Sequence, residues 1–305
     1  MHNEVLTRKQ PVSSPRRRRI TWAPYLFIAL PVLYSLALSG LPLLKGFQLS
    51  LTSAKLLNPN GGRFVGLQNY QTLLASPQTW ASIGVTLLYT LLVVTSSVLL
   101  GLAAALLINQ YFFGRVVVRA MLTVPWAVPT VAVALVFTWM MNGGSGILNA
   151  VTETLGLGRH EWLTDPTWAL LSVTVATMWK VTPFVMLVLL AALQAVPIEL
   201  VEAARVDGAN PWTTFRVVTM PAILPSLRVV VLLMTIWSFR RFEIIWLLTG
   251  GGPADATNTI VVGVYRTAFS QFNLGVAAAL GMLGVVMSLA VTVVYAVVER
   301  QGTER

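Results

Sequence analysis

Long apolar runs alternate with short polar segments along this chain. Six of the runs are long enough to cross a lipid bilayer, because a membrane-spanning helix needs about 20 predominantly apolar residues. The pattern therefore predicts an all-α integral membrane protein with six transmembrane helices. The predicted spans lie near residues 23–43, 80–108, 116–141, 167–193, 223–248 and 273–297.

The polar segment between the fourth and fifth spans has more pattern than a simple connection needs. Residues 199–221 predict two short helices that meet at a glycine. Pro197 suits the first position of the first helix, and Gly208 suits a left-handed residue that stops it. Asn210 is a good N-cap for the second helix, which we expect to end at Pro221.

Both short helices carry side chains in a regular arrangement. Glu199 and Glu202 place negative charge near the start of the first helix, where it complements the helix dipole. In the second helix, Trp212, Phe215 and Val218 recur at near-helical spacing and form one apolar ridge. A segment that only joined two spans would need neither the charges nor the ridge.

The composition independently indicates a membrane protein. The chain is 56% hydrophobic and only 10% charged, whereas soluble proteins usually carry about 25% charged residues. It has no cysteine and only two histidines, His2 and His160. The sequence therefore offers no disulfide framework, no thiolate nucleophile and no histidine-rich metal centre. An integral membrane enzyme would also need clustered carboxylates or a nucleophile beside the bilayer, and the sequence offers no such set.

The net charge of +10 is unevenly distributed. If the N-terminus is cytoplasmic, 13 of the 21 Lys and Arg residues lie on the inner side and five on the outer side. The positive-inside rule therefore predicts cytoplasmic N- and C-termini and a cytoplasmic segment 194–222. The basic residues 1–20 are interpreted as a disordered cytoplasmic tail that orients the first helix, rather than a nucleic-acid patch or a cleavable signal.

Ionisable residues inside the predicted spans are candidates for contact with a transported solute, because a charge in the bilayer is costly. Arg240 and Glu243 are three residues apart, so in a helix they would share a face and could pair. With the aromatic residues around them they could bind a sugar, although a structural ion pair or snorkelling to the outer interface is an alternative. The candidate substrate pathway comprises Phe239, Arg240, Phe242, Glu243, Trp246 and Lys180.

The polar segment also resembles a known motif. Glu202-Ala203-Ala204, followed by Gly208 and by Val218-Thr219-Met220-Pro221, resembles the EAA coupling loop of bacterial ABC importer permeases. The usual ending in that family is Ile-x-Leu-Pro, so Val218 and Met220 are apolar replacements of similar size. Further motifs resemble the carbohydrate-uptake branch, which imports maltose, trehalose or glycerol-3-phosphate. They are Gly66–Tyr70, Trp162–Pro166, Trp179–Phe184 and Leu247–Pro253.

This resemblance implies the architecture of a type I ABC importer permease, with residues 21–300 as the permease domain and a cytoplasmic coupling loop at 197–221. In that family the loop docks onto a separate ATPase subunit, so ATP and Mg are expected on the partner and no cofactor or metal in this chain. The Gly-rich runs 143–146 and 250–252 agree, because neither is followed by the Lys-Ser or Lys-Thr of a phosphate loop. The chain is thus not expected to be an enzyme. The implied coupling residues are Glu202, Ala203, Ala204, Asp207, Gly208, Trp212, Phe215 and Pro221.

The resemblance also implies partners and a substrate. A second permease subunit (expected to be a paralogue), two copies of the ATPase and an extracytoplasmic sugar-binding protein would complete an importer in the lipid of the bacterial inner membrane, without nucleic acid. The implied solute is a disaccharide such as trehalose, since the chain resembles the first permease subunits of actinobacterial trehalose importers. Alternatives are glycerol-3-phosphate as the solute, or an ion-coupled secondary transporter, which would usually show internal repeats and intramembrane acids.

Overall fold

The computed structural model describes residues 23–303, and this part of the chain is built from α-helices, three π-helical turns and loops without a β-strand. The π-turns are Leu36–Gly40, Phe215–Thr219 and Arg266–Ser270. The helices are α1 (Ala23–Ser35), α2 (Leu41–Ser50), α3 (Gln68–Ala75), α4 (Pro77–Asn109), α5 (Arg115–Ala127), α6 (Thr130–Met140), α7 (Ile147–Thr154), α8 (Pro166–Gln194), α9 (Ile198–Val206), α10 (Pro211–Thr214), α11 (Met220–Phe239), α12 (Glu243–Thr249), α13 (Ile260–Tyr265) and α14 (Leu274–Thr303).

The chain divides between Lys45 and Gly46 into two units. In the first unit, α1 and a π-turn lead into α2, and apolar side chains such as Phe27 and Leu30 are exposed. The helical run from Tyr25 to Ser50 is apolar and long enough to cross a membrane. A helix with apolar side chains all round is typical of a membrane span.

The core of the second unit lies where α4 packs along α8. Gly101 of α4 permits the close approach, because a Cβ atom there would lie 2.6 Å from Cγ1 of Val185 in α8. Tyr89 of α4 is completely buried and its hydroxyl shares a 2.9 Å hydrogen bond with Thr177 Oγ1 of α8. Small residues and hydroxyl groups at such a contact are typical of helix packing in membranes.

The prediction of six spans is confirmed when the pair α5 and α6 is counted as one broken span. Five other described helices are long and apolar enough to cross a membrane, and α5 and α6 meet at a bend of 97°. Pro129 at the bend lacks an N–H group and disfavours a helical conformation at Val128. Val128 accordingly has an extended backbone, with ψ 133°.

The predicted bounds of the fifth span, residues 223–248, are wrong at both ends. The helix starts at Pro211 and runs to Phe239, and the chain then breaks before the short helix α12. The residues between Phe239 and Glu243 include neither Gly nor Pro. The predicted span was placed by hydropathy, which gives no sign of this break.

The prediction that the second short helix ends at Pro221 is wrong. Helix α10 continues through the π-turn Phe215–Thr219 into α11. At this turn the N–H group of Met220 donates to the carbonyl of Phe215, five residues back. The wider turn accommodates a proline, which lacks an N–H group and would clash with the preceding turn of a regular α-helix.

Candidate functional site

The polar segment between α8 and α11, residues 197–221, forms two short helices that meet at a left-handed glycine; we call it the docking loop. Gly208 has φ 83°, as its place at the end of α9 predicted. The N–H group of Ala209 donates to the carbonyl of Ala204 at 2.9 Å, and that of Gly208 donates to the carbonyl of Arg205 at 3.0 Å. This closure of a helix end favours glycine, because positive φ strains residues with a Cβ atom.

The second short helix begins with the predicted cap. Asn210 Oδ1 accepts a 2.8 Å hydrogen bond from the N–H group of Thr213. The rings of Trp212 and Phe215 stack with centroids 5.7 Å apart, and Trp212 is 69% exposed. Pro197 is the N-cap of α9 and not its first helical residue, one position from the prediction. The docking loop thus presents a fixed, exposed aromatic surface.

The proposed coupling residues differ in exposure. Ala204 and Phe215 are half-buried and therefore help to fix the loop. The carboxylates of Glu202 and Asp207 form no ion pair within the part of the chain that the structure describes. They are therefore available to another molecule. The exposed members are Glu202, Ala203, Asp207, Gly208, Trp212 and Pro221.

A groove of about 850 Å³ runs between the docking loop and the ends of two core helices. Its walls include Leu106 and Asn109 of α4 and Leu193 of α8. Trp212 and Phe215 form part of the opposite wall. The loop therefore lies next to the end of the α4–α8 core.

A second candidate site lies where two broken helices meet. The break between α5 and α6 lies beside the break between α11 and α12, because α12 packs against α6. A cavity of about 490 Å³ opens there, which we call the break cavity. Broken helices expose main-chain groups inside a membrane and often form solute sites. The lining residues are Thr130, Trp237, Arg240, Arg241, Phe242, Glu243 and Ile244.

Lys180 lies at the middle of α8, 14 residues from each end of a helix that runs from Pro166 to Gln194. Its Nζ atom donates a 2.5 Å hydrogen bond to the carbonyl of Val128 at the end of α5. The last carbonyls of a helix lack partners within the helix, and a cation there also complements the helix dipole. Lys180 thus stabilises the break in the third span. No local pattern predicts this contact, because the two residues are 52 positions apart.

The predicted pairing of Arg240 with Glu243 is wrong. Helix α11 ends before Arg240 and α12 begins at Glu243, so the two residues do not share a helical face. Among the described residues, the ion pairs are Arg159–Glu153 and Arg266–Asp255. Arg240 and Glu243 are both exposed and line the break cavity separately. Their charged groups can therefore bind a solute without first breaking an ion pair.

Two of the aromatic residues predicted for the pathway do not line the break cavity. Phe239 is only 6% exposed and lies on a different, apolar groove beside α4. Trp246 stacks on Phe242 with ring centroids 5.6 Å apart and contacts Tyr265 at 4.6 Å. Trp246 therefore supports Phe242, which is the member of this group that lines the cavity.

A row of aromatic rings beside the break cavity was missed by the sequence analysis. The ring centroid of Phe184 in α8 lies 4.8 Å from that of Trp237 in α11 and 6.3 Å from that of Trp126 in α5. Trp126 is 50% exposed and Trp237 is 37% exposed. Their large apolar faces can pack against the C–H faces of a sugar ring. The three rings come from three different spans, so no spacing along the chain reveals the row.

The structure thus combines several helices long enough to span a membrane, a polar cavity at the helix breaks and an exposed loop at one end of the core. The family model described as the binding-protein-dependent transport system inner membrane component matches residues 97–301. The chain belongs to this family. It is therefore a multi-pass permease of the inner membrane, as the coupling-loop motif predicted.

Named relatives agree with this family. The chain is 40% identical over 240 residues to the trehalose/maltose transport system permease protein MalF of Thermococcus litoralis. The aligned residues cover 78% of this chain and 80% of the relative. It is 34% identical over 249 residues to the sulfoquinovosyl glycerol transport system permease protein SmoG of Agrobacterium fabrum, with 82% and 79% covered.

A solved structure confirms the fold. A chain of the bacterial ABC transporter that imports the acidic polysaccharide alginate matches with a TM-score of 0.80 and 24% identity, over 92% of this chain and 96% of that one. The chain therefore has the predicted fold of a type I ABC importer permease.

Proposed function

We propose that this chain is a permease subunit of an ATP-driven sugar importer and forms half of its translocation pathway. The observation that carries the proposal is the break cavity, in which unpaired Arg240 and Glu243 lie near exposed aromatic rings. Charged groups can bond to sugar hydroxyls, and aromatic faces can cover the apolar faces of the ring. Lys180, at the middle of α8, keeps the neighbouring helix break in place.

The proposed solute is a disaccharide such as trehalose. This choice is supported by the relative from Thermococcus litoralis, whose name gives trehalose and maltose and which is 40% identical. Phe242, Arg240 and Glu243 would contact the sugar, while Trp246 would hold Phe242 in place. Glycerol-3-phosphate is the second solute to test, because it belongs to the same branch of importers.

The proposed partners follow from the docking loop and from the family. The loop would dock onto one of two copies of an ATPase subunit, which bind ATP and Mg, while this chain itself hydrolyses no ATP. A second permease subunit, a paralogue, would form the other half of the pathway. An extracytoplasmic sugar-binding protein would deliver the sugar. In this arrangement residues 21–300 form the permease domain, and residues 1–20, which lie outside the described residues, are a cytoplasmic tail.

The connection between loop and pathway is continuous. Trp212 in the docking loop and Phe239, beside Arg240, lie on the same uninterrupted helical segment, Pro211–Phe239. At 1.5 Å per residue, Trp212 and Phe239 are about 40 Å apart along this segment. Closure of the ATPase subunits on ATP would move the loop around Gly208, and the segment would carry this movement to the break cavity.

The test is to purify the chain from its native membrane together with its bound subunits. We expect an ATPase to co-purify, and its activity in proteoliposomes to rise with trehalose or maltose in the presence of the binding protein. Stimulation by glycerol-3-phosphate alone would contradict the sugar assignment. Solute uptake by the isolated chain without ATP would contradict the importer and favour an ion-coupled transporter.

A further inference from the structure

A second polar cavity lies at the end of α4 that is opposite to the docking loop; we call it the outer cavity. Its volume is about 420 Å³, and it is bounded by the start of α4, the loop before α13 and the start of α14. Thr79 at this end of α4 and Leu106 beside the docking loop are about 40 Å apart along the helix. The positive-inside rule places this end outside the cytoplasm.

Several polar side chains of the outer cavity form no hydrogen bond with other described residues. Thr79 and Ser82 are each only 6% exposed, and their hydroxyl groups have no partner among the described residues. The Oδ1 atom of Asn258 is fully buried and is likewise unpaired. A fully buried polar atom such as Asn258 Oδ1 normally has a hydrogen-bond partner, and leaving it without one costs about 1–3 kcal/mol. The hydroxyl groups of Thr79 and Ser82 are not fully buried, and both residues line the cavity. Their grouping around one cavity indicates a place for a polar ligand.

The charge of the outer cavity is balanced. Arg266 Nη1 forms an ion pair with Asp255 Oδ1, and both residues line the cavity. Among the described lining residues no other side chain is charged. Leu73 and Leu280 add an apolar part to the wall. Hydroxyl and amide groups, a neutral ion pair and an apolar patch together match an uncharged solute rich in hydroxyl groups.

We propose that the outer cavity is a second sugar subsite, separate from the break cavity, that receives the sugar on the extracytoplasmic side. This inference rests on the proposed function for the class of substrate and for the orientation of the chain. The cavity lies near the lower end of the usual range for ligand sites, about 300–1,000 Å³. It therefore fits a small sugar, with Thr79, Ser82 and Asn258 bonding to its hydroxyls.

The experiment uses the assembled importer in lipid nanodiscs without the binding protein. An electron cryo-microscopy map at high trehalose concentration locates bound sugar, and saturation-transfer NMR measures its affinity. Thr79→Val keeps the shape of the side chain and removes the hydroxyl group, and Asn258→Leu removes the amide. We expect density for trehalose in the outer cavity of the wild type. In either variant the affinity of this subsite should fall about tenfold, which corresponds to about 1.4 kcal/mol, so that density is lost there while density in the break cavity remains.

The matched control is Thr95→Val, on the same helix α4 but at an exposed position in an apolar groove. This control should bind trehalose as the wild type does, and thermal unfolding checks that all variants fold. Two results would overturn the subsite if the wild type still imported sugar: water alone in the outer cavity at saturating trehalose, or unchanged trehalose density in that cavity in both variants. Failure of the wild type to import any sugar with its binding protein would instead overturn the proposed function, and the subsite with it.

Discussion

At the scale of single residues, main-chain groups at helix ends decide what the polar side chains inside the bundle do. A lysine in a membrane span is costly unless it has a partner. Lys180 finds one in the carbonyl of Val128, which the break in the third span leaves free. Hydropathy reveals the charge in the span, whereas only the fold reveals that its first role is to hold a helix end.

Gly208 gives the sharpest prediction at this scale. Its φ of 83° is unfavourable for residues with a Cβ atom, although nothing lies within 4 Å of the place that a Cβ would occupy. Gly208→Val should therefore act through backbone strain alone, with a cost of about 1–2 kcal/mol. We expect the importer to assemble but sugar to stimulate its ATP hydrolysis much less than in the wild type.

The matched control is Gly208→Asn, because asparagine tolerates the left-handed conformation better than other residues with a side chain. Stimulated ATP hydrolysis should be close to that of the wild type in this variant and low in Gly208→Val. If both variants coupled sugar to ATP hydrolysis normally, the left-handed turn would not be needed for docking, and the two-helix geometry of the loop would not explain coupling.

At the scale of helices, the sequence predicts the spans well and the breaks poorly. Length and hydropathy suffice for the spans, because the bilayer sets both. Proline is an uncertain sign of a break: Pro129 marks one, whereas Pro183 and Pro221 lie in continuous helical segments. The break at Arg240 has no local sign at all. Beyond this break α12 packs against α6, a contact between residues more than a hundred positions apart.

The contact between α4 and α8 supports a prediction at the same scale. A Cβ atom at Gly101 would lie 2.6 Å from Val185 Cγ1 and 3.1 Å from the nitrogen of Met186. Gly101→Ala should therefore push the two helices apart and lower stability by about 1–3 kcal/mol. Gly84→Ala on the same helix is the control, because nothing lies within 4 Å of the place that its methyl group would occupy. It should raise stability by about 0.5–1 kcal/mol.

Thermal unfolding of the purified importer measures both variants. We expect a lower midpoint for Gly101→Ala than for the wild type and an equal or higher midpoint for Gly84→Ala. Equal midpoints for the two variants would mean that the α4–α8 contact can relax by a methyl group. The close packing of these helices would then not be what positions the cavities at either end of them.

At the scale of the whole molecule, the three candidate sites lie at the ends of long helices that connect them. The docking loop lies at one end of α4 and the outer cavity at the other. The break cavity lies at the end of the helical segment that starts in the docking loop. A chain with this order can take a solute at one face and respond to a partner at the other, provided that the docking loop faces the cytoplasm.

The orientation of the chain is therefore the prediction on which both proposals depend. The chain contains no cysteine, so a single introduced cysteine is the one thiol that a maleimide can label in the purified chain. Val206→Cys lies in the docking loop and Ser270→Cys beside the outer cavity, and both positions are exposed. With 13 of the 21 Lys and Arg residues on the predicted inner side, a membrane-impermeant maleimide should label Ser270→Cys in intact cells. It should label Val206→Cys only after permeabilisation. The opposite labelling would place the outer cavity on the side of ATP and the docking loop away from it, and neither the importer nor the second sugar subsite could then work as proposed.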